Sequence, residues 1–517
     1  MMQLHLVSTY PSLPIALVLS AVFPLLIAVV FGHWKIPPSF PKGIPALEEE
    51  RFSGYKKFNQ YDQLFIYCNA NLRPQAILPA KDLEWLVRQP DSILSFQEAL
   101  EESIGFKHVF GTTFTPADRK IASLVISQFH TQNIGQIQSA LADEVRQNID
   151  KEFGKDCYNW KPVCLMEVMQ KVVLRVASRV SWGSPLCHDD ALMRSFATLF
   201  NFHGGAMILC GQLIPWFLQP LLGACLSVPL HFLRKRVLAT TTPLVKEWLA
   251  QIRQEEREQV PEKDSRVPYN AVTSFIRVAR RVYGCENVDE ERLHLMILIF
   301  WTLFPYMTTV PSSSAAILDI ASTPPEIGLY QQLRQEAKKV LTSEKEWVEP
   351  SSFNKLHYTD SAIRETLRLS PVVLHGSNRE IIHPSGITMP SGQHLPRGMW
   401  VAGSTLDIHM DERFYAEGQQ YKPFRFVKGQ TSEDGTVMSK QEINRVATAS
   451  TFMTFGTGRH ACPGRHFGVH LVKMIIVYVI LNYDIEPLEK RPENFVMGEH
   501  VIVPPTATVR VRRTEVQ

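Results

Sequence analysis

Apolar residues gather in a few long stretches, and the spacing of charges and prolines within each predicts a different element. From Leu13 to Phe31, LPIALVLSAVFPLLIAVVF carries no charge. At helical rise this run spans roughly 28 Å, about a bilayer core. The first lysine or arginine, Lys35, follows the run, whereas a secretory signal peptide places its basic region ahead of it. Trp34, Lys35 and Lys42 suit an interfacial, cytosol-facing edge, and PPSFPKGIP continues as a stiff, proline-rich neck. The pattern predicts an anchor over residues 1–35 with its helix at about 13–31, a neck over 36–45, and one folded body over 46–517.

A second run, AMILCGQLIPWFLQPLLGACLSVPLHFL from Ala206 to Leu233, is interrupted by Pro215, Pro220 and Pro229, which predicts broken helix rather than a span. ERLHLMILIFWTLFPYMTTVPSSSAAILDIASTPP predicts a long helix kinked at Pro305, which has no N–H to give. GRHFGVHLVKMIIVYVIL predicts a further helix with a long apolar face, started by Pro463. In YTDSAIRETLRLSP, Asp360 caps a short helix ending before Pro371, and Glu365 and Arg368 share a face. On the surface that pair would be worth little; if buried, its carboxylate needs further donors, which the planar fork of Arg425 can supply.

Composition narrows the function. The 517 residues contain no Ser/Gly-rich linker, charge block or repeat that would divide the body. A net charge of +3 gives no reason to expect a nucleic-acid partner. The eight cysteines are scattered without framework spacing, as suits a reducing cytosolic face.

Chemistry concentrates in FGTGRHACPG, Phe455 to Gly464. Gly456, Gly458 and Gly464 allow close approach of something flat, and Cys462 precedes a helix with Arg459 and His460 nearby, a setting that favours thiolate. The residues allow a buried structural cysteine, a zinc site with His466 and His470, a hydrolytic nucleophile without an evident base, or an axial thiolate to haem iron. The last reading uses the glycines, the cationic side chains and the cysteine together.

The stretch resembles the cysteine loop of the cytochrome P450 superfamily, matching at Phe455, Gly456, Gly458, His460, Cys462 and Gly464. Glu365 and Arg368 match the family's Glu-x-x-Arg helix, and Arg425 in YKPFRF matches its Pro-x-Arg-Phe segment, in the family's order. The wording is most similar to fungal secondary-metabolism members. The resemblance implies a mainly α cytochrome P450 fold, a large helical domain with small β-sheets, behind the N-terminal transmembrane helix. It implies haem b with Cys462 as axial iron ligand, propionate contacts from Arg379 and His460, and a further contact near His130. Glu365, Arg368 and Arg425 become a structural triad bracing the loop.

The resemblance places Thr308, followed by Thr309, at the proton-relay position of the distal helix, and makes Ala206–Leu233 a membrane-dipped lid. The chain departs from the pattern just ahead of Thr308, where Phe304, Pro305, Tyr306 and Met307 replace small residues and an acid or amide. Phe304, Tyr306, Met307, Val372, Val373, Leu374, His375, Met497 and His500 are expected to line a large apolar pocket. The implied activity is insertion of oxygen from O2 into a terpenoid, polyketide or mixed natural product. Since the chain has no dinucleotide fingerprint, electrons are expected from NADPH through a separate reductase, with Arg459 and Arg465 offering cationic surface to it. The expected location is the endoplasmic reticulum membrane, single-pass, with the catalytic domain cytosolic. A non-redox haem-thiolate isomerase or dehydratase, and a non-catalytic haem-binding protein, stand as alternatives.

Overall fold

In the computed structural model, which describes residues 46–47, 53–69, 71–128, 134–284, 289–427 and 448–515, most of the chain is helical. The anchor helix expected at 13–31 and the contact near His130 fall outside these residues. Helix α1 (Pro116–Ser127) starts where the Thr115 side chain accepts from the Asp118 amide and Asp118 accepts in return from the Thr115 amide. Pro116 occupies its first turn, where no N–H is needed. Helices α2 (Ile134–Phe153) and α3 (Leu165–Trp182) bury apolar faces at helical spacing and pack on each other. Helix α4 (Asp190–Ile208), capped by Asp189, ends in a π-helical turn, Leu209–Leu213.

Pro215 separates that turn from α5 (Gln219–Arg257), a single helix that contains both Pro229 and Pro243. The expected break at Pro229 does not occur. Gly223, Leu226, Leu230, Val237, Thr241, Val245 and Trp248 form one buried stripe, and packing along it carries the helix across each missing ladder bond.

Helix α6 (Glu290–Ile297) passes through a π-helical turn, Leu298–Leu303, into α7 (Phe304–Ala321). The distortion lies one turn ahead of Pro305, because a proline ring presses on the carbonyl four residues back, here Trp301. A second proline, Pro311, lies inside α7 without interrupting it. This helix runs through the interior against α3, α8 (His357–Leu369) and α9 (Arg465–Asn482). Helix α8 begins at His357, so Asp360 lies in its first turn, where it pairs with Lys473 of α9, instead of capping it. Helix α9 is buried from Val469 to Ile480, as expected of an element apolar nearly all round. It begins two residues after Pro463.

A six-stranded sheet stands to one side. Its strands are β1 (Ala46–Leu47), β2 (Phe65–Cys68), β3 (Pro74–Leu78), β4 (Leu94–Ser95), β5 (His375–Ile381) and β6 (Trp400–Ser404), in spatial order β1-β2-β3-β6-β5-β4. Strand β5 leaves the end of α8 and pairs antiparallel with β6, which brings His375 and Arg379 into the interior. A hairpin, Phe495–Met497 with His500–Ile502, lies against the chain just before β5 through a bridge between Val373 and His500.

Candidate functional site

The cysteine loop is shaped by its glycines. Gly456 and Gly458 have φ of +67° and +68°, which side chains rarely adopt, and a Cβ on Gly458 would stand 2.9 Å from Val87. The Cys462 amide donates to the Phe455 carbonyl at 2.8 Å, closing the loop, and Arg465 Nη1 donates to the Cys462 carbonyl at 2.7 Å. Protein surrounds the Cys462 thiol closely enough to desolvate it, yet the residue keeps accessible surface. Burial pushes the thiol pKa up, and the amides of Gly464 and Arg465 with the Arg465 charge only partly oppose this.

Beneath the loop, Glu365 and Arg368 are fully buried. Arg368 Nε and Nη2 donate to Glu365 Oε2 and Oε1 at 2.8 and 2.7 Å, and Arg425 Nε reaches the same carboxylate at 3.1 and 3.2 Å. The Lys422 amide adds a fourth donor at 2.9 Å. His409, which sequence reasoning missed, joins this cluster to the cysteine loop. Its Nδ1 faces the Arg368 carbonyl at 2.8 Å while Nε2 receives the Met453 amide at 2.9 Å. Only the neutral tautomer protonated at Nδ1 satisfies both bonds, and burial draws its pKa down to about 3. Thr454 Oγ1 adds a second tie, donating to the Leu367 carbonyl at 2.8 Å.

Arg379 is buried on β5, with Phe96 under its guanidinium at 5.0 Å. Nη1 donates to the carbonyls of Ser377 and Asn378, whereas Nη2 is buried without a hydrogen bond among the described residues. Burial draws its pKa down to about 10. His460 stacks on the same Phe96 and meets Asp91 at 2.8 Å, and Arg459 pairs with that aspartate at 2.9 Å.

On α7, Thr308 is exposed within an otherwise internal helix, and its hydroxyl donates to the Phe304 carbonyl at 3.0 Å; Thr309 is buried. Phe304 and Met307 are half-buried. Tyr306 turns to α4, where its hydroxyl donates to Asn201 at 2.8 Å. Val372, Val373, Met497 and His500 are half-buried, and Leu374 is buried. His375 belongs to a cluster the sequence did not announce: its Nδ1 lies 2.5 Å from Glu499 Oε2, and the Tyr67 hydroxyl donates to Glu499 Oε1 at 2.6 Å.

These residues fit a flat, dianionic, iron-bearing group. A Cβ on Gly464 would meet nothing within 4 Å, so its missing side chain leaves free space beside Cys462. The buried Nη2 of Arg379 asks for an acceptor, and a carboxylate would answer it.

The cytochrome P450 family model matches residues 108–511. Over 502 residues the chain is 31% identical to cytochrome P450 monooxygenase polB of Polytolypa hystricis (strain UAMH7299), covering 92% of this chain and 94% of the relative. It is 30% identical over 524 residues to cytochrome P450 monooxygenase efuH of Hormonema carpetanum, covering 96% and 91%. Against cytochrome P450 monooxygenase nodZ of Hypoxylon pulicicidum it is 31% identical over 468 residues, covering 89% and 86%. The chain belongs to the cytochrome P450 family. Its class of activity is that of a haem-thiolate monooxygenase, an oxidoreductase that uses haem iron and dioxygen.

Proposed function

We propose that this monooxygenase oxygenates a lipophilic natural product of fungal secondary metabolism, a terpenoid, polyketide or mixed compound, with Cys462 as the axial ligand to haem iron. What carries the reading is Cys462 itself, a thiol enclosed by protein on a residue that keeps accessible surface, beside a glycine whose Cβ would meet nothing. Haem, when bound, supplies the reductive activation of dioxygen and delivery of one oxygen atom to substrate.

The chain's own residues do the rest. Cys462 offers its sulfur, and Gly464, whose Cβ would meet nothing within 4 Å, keeps that approach clear. Arg379 Nη2, with His460 beside it on Phe96, would hold the carboxylates of the group, which would offset the cost of burying an unpaired guanidinium. Glu365, Arg368 and Arg425 fix the loop from below through His409. Thr308 passes protons: its hydroxyl holds the Phe304 carbonyl at rest and can turn to accept from a water, a role that the adjacent Met307 cannot share. Phe304, Met307, Val372 and Val373 exclude bulk water and favour apolar substrate. Electrons come from NADPH through a separate reductase.

The same reading places residues 1–35 as a single-pass anchor in the endoplasmic reticulum, with residues 46–517 cytosolic. Among the described residues, Trp216–Arg257, Glu290–Ala321 and Arg465–Asn482 are long and apolar enough to cross a membrane. The last two are mostly buried in the fold, whereas the first is mostly exposed. Trp216, Phe217, Leu221, Val228 and Phe232 are exposed in it, as suits a lid that dips into the bilayer surface.

The test is product analysis. Microsomes carrying this chain and a reductase, given NADPH, isotopically labelled dioxygen and candidate terpenoids and polyketides, should yield product that contains the label. Product formed without label and without NADPH consumption would instead establish an isomerase or dehydratase.

A further inference from the structure

The turn of the hairpin Phe495–Met497/His500–Ile502 is held from several directions. Glu499 accepts from the Tyr67 hydroxyl and faces His375, its amide donates to Gln212 Oε1 at 3.2 Å, and its carbonyl accepts from the Leu374 amide at 2.8 Å. The Val501 amide donates to the Val372 carbonyl at 3.1 Å. Gly498, at φ +62°, lets the turn meet the π-helical end of α4, since a Cβ there would stand 2.7 Å from Gln212 Cβ.

His500 is the next residue, and its position is fixed by these bonds. It bridges Val373 in antiparallel register, so the two side chains share a face. Like Cys462, its ring is strongly desolvated by surrounding protein while the residue keeps accessible surface, which places that surface on an internal space. Burial lowers its pKa, only partly opposed by the Glu499 charge, so the imidazole is neutral near pH 7.

A neutral imidazole carries one proton on one of two nitrogens. Nδ1 is sealed from solvent and makes no hydrogen bond among the described residues. A proton there would be a buried donor without acceptor, the rarer and costlier orphan; a bare lone pair there costs less. The proton therefore sits on Nε2, the nitrogen that is left open.

We propose that His500 is a specificity-determining residue of the distal cavity, presenting Nε2–H to an oxygen acceptor, a ketone or hydroxyl, on an otherwise apolar substrate, with Glu499 as its positioning residue. The proposal rests on reading the space above Cys462 as the oxygenation site. A site built to hydrogen-bond one group rejects the analogue lacking it more strongly than an apolar wall discriminates size. The substrate must then already carry oxygen, so an earlier oxygenating or oxygen-retaining step supplies it.

The experiment titrates matched pairs, polycyclic terpenoid and steroid ketones and their deoxygenated hydrocarbons, into the haem-loaded ferric enzyme and follows displacement of the Soret band. The parent should favour the ketone of a pair by about tenfold or more, the scale of one buried hydrogen bond. His500→Phe should erase that preference by weakening the ketone alone, and His500→Gln, which keeps an N–H of similar reach, should retain most of it. A parent that binds both members of every pair alike, or neither, overturns the proposal, as does a His500→Phe variant that weakens both equally. The reduced, CO-bound spectrum of the same preparations separates the two readings. A thiolate-type band with unchanged preference removes the role of His500 alone, and a histidine-type band removes the site reading beneath it.

Discussion

Glu365 accepts from four donor atoms, on two guanidiniums and one backbone amide, while having no exposure, so its charge is tolerable only while these groups remain. Glu365→Ala should cost about 3–5 kcal/mol by leaving buried cations unpaired, and expression should yield little haem-loaded protein. Normal haem content with slowed turnover would contradict the structural role. Of the two threonines proposed for the proton relay, Thr308 keeps accessible surface and Thr309 is buried. Thr308→Ala should leave NADPH consumption running while hydrogen peroxide replaces product, a loss of roughly 10²–10⁴-fold in coupled turnover, and Thr309→Ala should do far less. Stoichiometry of NADPH, peroxide and product checks both. The buried cluster of Glu365, Arg368 and Arg425 was legible in the sequence because each residue lies in a short motif of unusual residue types. His409 and Glu499 were not, since their partners stand 41 and 124 residues away and no local pattern links them.

Among the elements, prolines misled most. A ring that removes one ladder bond reads as a break in isolation, but the buried stripe of α5 outweighs it, and near Pro305 the strain is absorbed as a π-helical turn. Helix α9 was legible because its run is apolar nearly all round. The hairpin at 495–502 was not legible as a hairpin, for its turn is set by the end of α4, with Gln212 standing 287 residues before Glu499. Gly498→Ala should force this turn away from Gln212, both by its positive φ and by the 2.7 Å approach. Haem content should be retained while ligand-induced Soret displacement weakens by about tenfold or more. Unchanged ligand binding would show that the hairpin tolerates another seat.

For the whole molecule, the proposed anchor at residues 1–35 is separate from the catalytic body. Removal of Met1–Lys35 should lower membrane retention and leave the haem spectrum intact, with residual binding through the exposed face of α5 at Leu221, Val228 and Phe232. Adding Leu221→Asp and Phe232→Asp to the truncated chain should release it into the soluble fraction on sedimentation with vesicles; loss of haem on truncation alone would contradict the division. The proposed function turns on one thiol, that of Cys462. The most direct test is the absorption spectrum of the reduced, CO-bound protein, recorded for the parent and for Cys462→Ala. The parent should show the strongly red-shifted Soret band of thiolate ligation, and the variant should lose it. An unshifted, histidine-type band in the parent would contradict the assignment of Cys462.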